Sequence, residues 1–144
     1  MRLIALGDNS IDFYRNTGER YPGGNAVNVA VHAAHMGADA HYLGTLGTDE
    51  AAKMICRAMG RHDVDYSRCR LLDGKTTKVC IYDVLDGERT FVEVMTGETW
   101  VGPIRLTADE YAYLESADAI VTSCNAKIPE QLAAVEELSP VFVF

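Results

Sequence analysis

Tyr21-Pro-Gly-Gly-Asn-Ala-Val-Asn-Val-Ala-Val-His-Ala-Ala-His-Met-Gly37 decides the fold: a Pro-Gly-Gly turn runs directly into a helix built from small residues. The glycines permit backbone angles that a Cβ forbids, and the helix start offers unpaired N–H groups and a positive dipole end. A polar group is expected to dock there. From about Asn25 to Met36, Val27, Ala30, Val31 and Ala34 fall at i, i+3, i+4 and i+7, while Asn25, Asn28, His32 and His35 share the opposite stripe. One face is therefore core and the other polar. Small residues let such a helix lie close to a sheet, and Gly37 is placed to cap its end. His32 and His35 stand at i, i+3 with no third ligand nearby, so helix-surface histidines are expected rather than a metal site.

Upstream, Leu3 to Leu6 is a continuous apolar run that suits a strand buried on both faces, as in a parallel sheet. Gly7-Asp8-Asn9-Ser10-Ile11-Asp12 follows at its carboxyl end, the end at which open α/β sheets bind ligands. The same polar cluster also reads as a turn in which Asp and Asn bond their own backbone. Residues 14–22 read as a surface excursion. Downstream, Ala40 to Leu46 is a second strand, and Asp49 can cap a helix carrying Ala52, Ile55, Ala58 and Met59 at helical spacing. This β-α-β-α series implies a right-handed crossover and a parallel sheet.

Between Tyr66 and Met95 the pattern changes to short β-rich runs, with Asp86-Gly87 as a hairpin turn between Thr76–Val84 and Arg89–Met95. A hairpin inserted into an α/β chain is expected to form an appendage at about 66–100, a lid or a dimer contact. Alternating Val79, Ile81, Phe91, Val92 and Val94 also fit the core of a small sheet. After Trp100 and Pro103 the α/β rhythm returns. Thr107-Ala-Asp-Glu110 is a capping box, Ala119 to Thr122 a third buried strand, and Ser123-Cys124-Asn125 should emerge on the same side as Asp8 to Asp12. Pro129 suits the first turn of another helix, and Pro140 to Phe144 is an apolar strand.

The 144 residues suffice for one domain with a core. A formal net charge of −8 argues against nucleic acid or an anionic membrane as the main partner. Cys56, Cys69, Cys80 and Cys124 include no C-x-x-C pair, so neither a zinc site nor a dithiol redox motif is written here. No apolar run suits a signal peptide or a spanning helix, and a soluble, cytoplasmic protein is expected. Neither G-x-x-x-x-G-K-[ST] nor G-x-G-x-x-G occurs, which disfavours a generic nucleotide-binding α/β domain.

Gly7-Asp-Asn-Ser-Ile-Asp12, Gly23-Gly-Asn-Ala-Val-Asn28, Gly37 and Leu46-Gly-Thr-Asp49, in this order and with a hairpin after the second helix, resemble the ribokinase-like (PfkB-type) carbohydrate kinases over essentially the whole chain. The wording of Gly7–Tyr14 and Tyr21–Ala34 is most similar to the fructosamine (fructoselysine) 6-kinase branch. The resemblance implies a Rossmann-like α/β domain with a small β-sheet lid that transfers phosphate from ATP, with Mg²⁺, to a sugar hydroxyl. Asp12 would hold sugar hydroxyls, assisted by Asp8 or Asn9, and Gly23, Gly24 and Asn28 would line the pocket. These roles suit hydroxyls, which donate and accept together. The lid would exclude water, and paired lids imply a homodimer. The family's catalytic Asp and nucleotide pocket lie in a second half with no counterpart before Phe144. The chain is thus expected to be a sugar-binding half, inactive alone, with no catalytic or metal residues of its own. A non-catalytic sugar-binding or dimerisation module is the alternative.

Overall fold

Because Leu3 and Ala5 point to one face of a strand and Ile4 and Leu6 to the other, the first apolar run needs cover on both sides. A computed structural model describes residues 1–100 and 104–144. In chain order its main elements are β1 (Arg2–Leu6), β2 (Ser10–Tyr14), β3 (Glu19–Gly23), α1 (Asn25–His35), β4 (Asp39–Leu43), β5 (Thr45–Leu46), α2 (Glu50–Arg61) and β6 (Arg70–Leu71). They continue with β7 (Val79–Leu85), β8 (Glu88–Met95), α3 (Ala108–Glu115), β9 (Ala119–Val121), α4 (Leu132–Glu136) and β10 (Val141–Val143). Pro103 lies outside the described residues.

The main sheet has the order β10-β9-β1-β4 and is parallel throughout. Its two faces are covered as the apolar alternation demands. On one side Ala26, Val27 and Ala30 of α1 and Ile55 and Met59 of α2 pack with Leu3 and Ala5. On the other, Leu114 of α3 and Val135 of α4 pack with Ile4, Leu6 and Ile120. Burying Ile55 and Met59 stabilises by about 1.5–3 kcal/mol each, whereas the Lys53–Glu50 pair on the same helix is exposed and screened by solvent. The apolar stripe, not the surface charge, therefore places α2. Its start is held as expected: Asp49 accepts from the Ala52 N–H, and also from Thr77. Both arms of the Thr107–Glu110 capping box are made.

Several expectations are corrected. Residues 15–21 are exposed, as a surface excursion would be, but the segment carries strand structure. Two antiparallel strands, β2 and β3, join the hairpin β7–β8 in a second sheet of order β3-β2-β7-β8. Local turn chemistry at Asp8 and Asn9 hides β2, which exists because β7 offers it an edge, with Ile11 beside Val79 and Phe13 beside Ile81. Pro22 is tolerated because β3 is the outer strand. Arg70–Leu71 pairs with β5 in a separate two-stranded ladder. The strand expected over Ala40–Leu46 breaks at Gly44, where a Cβ would overlap the Tyr42 hydroxyl. Pro129 precedes rather than opens its helix, which begins at Leu132 with Gln131 as its cap residue. The Asp86-Gly87 turn is as expected, with φ of 53° and 82°.

Among the described residues no helix is long and apolar enough to cross a membrane.

Candidate functional site

β1 delivers Gly7-Asp8-Asn9 to the carboxyl edge of the main sheet, and the glycine pair brings the start of α1 against it. Gly24 has φ 103°, and a Cβ there would stand 2.6 Å from Asn9 Cα and 2.7 Å from the Asp8 carbonyl oxygen. A Cβ on Gly23 would stand 2.9 Å from Asp12 Oδ1. The pair thus closes the helix onto the polar segment at the nearest possible approach.

Asn9 is buried and anchored. Its side-chain amide donates to the Tyr42 hydroxyl and to the Thr45 carbonyl, both at 2.8 Å, and Tyr42 in turn donates to the Gly7 carbonyl at 2.9 Å. Burial holds the Tyr42 phenol well above its ordinary pKa, so it stays a neutral donor in this chain of bonds. These bonds fix Asn9 through its nitrogen and leave its Oδ1 buried with no partner. Asp8 is equally buried; its Oδ2 lies 3.6 Å from the buried Lys78 ammonium, and its Oδ1 also has no partner. A buried acceptor without a donor costs about 1–3 kcal/mol, and the cleft of about 10 Å³ that Asp8 and Asn9 line has room for one donor the size of a water or a hydroxyl.

Asp12 sits on β2, half-buried beside Gly23, with Arg89 of β8 at 3.5 Å. Desolvation pushes its pKa up, against the smaller opposing pull of Arg89 and Lys78. Asn28 lies on the exposed side of α1, one turn beyond Gly24, and does not line the cleft. Structure thus brings Asp8, Asn9, Asp12, Gly23 and Gly24 together, with Asn28 one turn along α1 from Gly24 on the exposed side.

The cleft is completed by residues that the sequence did not single out for it. Gly7, Asp8, Asn9, Thr45, Trp100 and Lys127 line it, and Asn125 joins them after β9 on the expected side. Trp100 lies between two ammonium groups, Lys78 Nζ at 4.5 Å and Lys127 Nζ at 3.7 Å from its ring centroid. Its Nε1 is buried without an acceptor. Of five such buried, unpartnered side-chain atoms among the described residues, three face this one cleft. Trp100, the only tryptophan, was the available signal in the sequence; the two lysines carried none, because they are far apart in the chain.

Among the described residues no group of three or more His, Cys, Asp or Glu is placed to hold a metal ion. The four cysteines are free thiols, and burial pushes Cys69 up to about 12, which suits packing rather than nucleophilic chemistry.

Comparison with known proteins agrees with this fold. The chain is 32% identical over 143 residues to fructosamine kinase FrlD of Bacillus subtilis, covering 98% of this chain and 50% of that protein. It is 28% identical over 118 residues to fructoselysine 6-kinase of Escherichia coli, covering 82% and 44%. The fold superposes on Arabidopsis thaliana ribokinase complexed with ribose and ATP, with TM-score 0.77, 20% identity, and coverage of 99% of this chain and 52% of that one. Fructokinase with bound ATP from Xylella fastidiosa gives TM-score 0.78 at 17% identity, with coverage of 99% and 47%. These two likenesses speak for the fold, and the chain spans about half the length of the relatives it matches. With residues 1–138 also matching the pfkB family carbohydrate kinase model, the ribokinase-like fold and its polar cleft belong to a member of that family.

Proposed function

We propose that this chain is the sugar-binding half of an ATP-dependent kinase that phosphorylates a hydroxyl of a sugar or fructosamine. The observation that carries the reading is the pair of buried, unpartnered acceptors, Asp8 Oδ1 and Asn9 Oδ1, at the carboxyl edge of a parallel sheet. Asp12, on β2 of the second sheet, adds a second carboxylate to that of Asp8 and the amide oxygen of Asn9. In this role Asp8, Asn9 and Asp12 accept from sugar hydroxyls, the glycine pair lets the backbone approach the ring, and Trp100 and Lys78 keep water from the site. The names of the fructosamine and fructoselysine kinases support the substrate class.

Phosphoryl transfer depends on positioning and on charge stabilisation by metal and donors. The described residues gather no metal-binding cluster, and the chain has no glycine-rich phosphate loop. In this reading ATP and Mg²⁺ serve the complete enzyme, as the resemblance implies.

Titrating the chain calorimetrically with hexoses and fructosamines should give saturable binding, and adding ATP and Mg²⁺ should give no turnover. Asp12→Ala should weaken that binding by about 1.5–3 kcal/mol, the range for hydrogen bonds to a charged group. Unchanged affinity in Asp12→Ala would remove it from the site, and turnover by the chain alone would overturn its role as a half. Binding without turnover is also what a non-catalytic sugar-binding module would give; the complete reading frame separates the two.

The second sheet supports pairing of two copies. Tyr21, Phe91, Val94 and Met95 are large apolar side chains exposed on it. Sedimentation should show a dimer, and a monomer at high concentration would overturn this assignment.

A further inference from the structure

Three of the four histidines gather at one corner of the protein, at the opposite end of α1 from the cleft. His32 and His35 lie in the last turn of α1, and His62 is the C-terminal cap residue of α2. The i, i+3 pair has no further ligand near it in the sequence, but the fold brings His62 to it from 27 residues away. His35 Nε2 stands 2.8 Å from His62 Nδ1, with the ring centroids 4.6 Å apart and the ring planes at 77°. The His32 ring lies farther off, 6.3 Å from that of His35.

Two imidazole nitrogens this close either share one proton or present both lone pairs to one ion. A hydrogen bond between exposed rings competes with water and contributes little. Zn²⁺ sits about 2.0–2.1 Å from an imidazole nitrogen, so ligand angles of about 90–110° set two such nitrogens about 2.9–3.4 Å apart. The pair reaches that separation by opening about 0.1–0.6 Å, and neither ring is buried against such a movement. Charge points the same way. α1 and α2 both end here, which brings together the negative dipole ends of two helices on a chain of formal net charge −8. Imidazole ligands without a carboxylate suit Zn²⁺ rather than Mg²⁺ or Ca²⁺. Among the described residues no third His, Cys, Asp or Glu converges with the pair, so water completes the shell.

We propose that His35 and His62 form a two-histidine chelate for Zn²⁺ or a like divalent transition ion, which clips the ends of α1 and α2 together. The clip lies behind the cleft. α1 starts at Gly24 against Asp8 and Asn9, and α2 starts at Asp49, which also holds Thr77. Joining the far ends of the two helices steadies both starts. The inference does not depend on what the cleft binds.

The chain, stripped of metal with a chelator, is titrated calorimetrically with Zn²⁺ and with Mg²⁺, and its thermal unfolding is followed in each. One equivalent of Zn²⁺ should bind saturably and raise the unfolding midpoint, EDTA should reverse the shift, and Mg²⁺ should do neither. By NMR the imidazole resonances of His35 and His62 should move on adding Zn²⁺, while those of the buried His41 stay in place. His35→Gln and His62→Gln should each weaken binding about a hundredfold or more, because the second arm of a chelate acts at high effective concentration. His32→Gln and Cys124→Ser should bind as the parent does. No saturable Zn²⁺ binding, affinity that survives in His35→Gln or His62→Gln, a comparable loss in His32→Gln or Cys124→Ser, or a midpoint lowered by Zn²⁺ would overturn the inference. The resonances of the parent chain decide even where a variant fails to fold: Zn²⁺ that leaves those of His35 and His62 unmoved is bound elsewhere.

Discussion

The two edges of the main sheet each carry a cluster of buried polar groups, and they are finished differently. At the amino edge His41, buried on β4, has Asp39 at 3.1 Å and Asp65 at 3.3 Å, and its Nδ1 lies 2.8 Å from the Tyr113 hydroxyl. Arg2 and Arg68 lie near the Tyr113 ring, and the Arg2 backbone N–H donates to Asp118. The cluster ties β4, α3 and the start of β1 to one another, and the buried atoms it leaves without a partner are nitrogens, Arg2 Nε and His41 Nε2. At the carboxyl edge Asn9 and Tyr42 are anchored with equal care, yet the oxygens of Asp8 and Asn9 that face the cleft are left without donors. The same kinds of residue therefore serve cohesion at one edge and reception at the other. The distinguishing feature is which atoms are left over.

The largest effect should come from breaking the carboxyl edge at its tightest point. Gly24→Ala places a Cβ against Asn9 and Asp8 at positive φ, so it should destabilise the fold by about 3 kcal/mol or more. Denaturant unfolding measures this, and a near-neutral result would mean that α1 can withdraw from the polar segment.

A smaller effect is expected at the amino edge. Asp65 is held below its ordinary pKa by hydrogen bonds from Ser67, with His41 adding to the effect. Its contribution is present above about pH 3.8 and lost as pH falls through its lower native value. Asp65→Asn should thus cost about 0.5–1 kcal/mol at neutral pH, a modest figure because the side chain is 45% exposed. The cost should vanish in acid.

The smallest effect on stability, and one of opposite sign, belongs to Asp12. Burial raises its pKa, so the native state binds a proton more tightly than the unfolded chain, and the ionised form opposes folding at neutral pH. Asp12→Asn should equal or slightly exceed the parent in stability at neutral pH, with the difference closing as pH falls below 3.8. Unfolding curves across this range that moved in parallel for both variants would erase the contrast between the two edges.

Much of this protein was legible in its sequence. The alternation of Leu3 to Leu6, the stripes on α1 and α2, the Asp49 cap, the Asp86-Gly87 hairpin and the Thr107 capping box depend on neighbours within a few residues, and local pattern records them directly. Asp8, Asn9, Asp12, Gly23 and Gly24 were also readable, because two short segments carry them. What tertiary structure alone decided depends on partners far apart in the chain. β2 has β7 beside it, some 68 residues away in the Arg15–Asp83 pairing, and β3 in turn pairs with β2, whereas local turn signals said otherwise. Trp100 and Lys127 line the cleft, with Lys78 against Trp100, only after distant segments meet, so no spacing announces them. Asn28 shares the helix stripe that the sequence marked as polar, and the structure places it on the exposed side of α1, one turn beyond Gly24. Periodicity fixes which face of an element is polar; only the packing of elements fixes what that face meets.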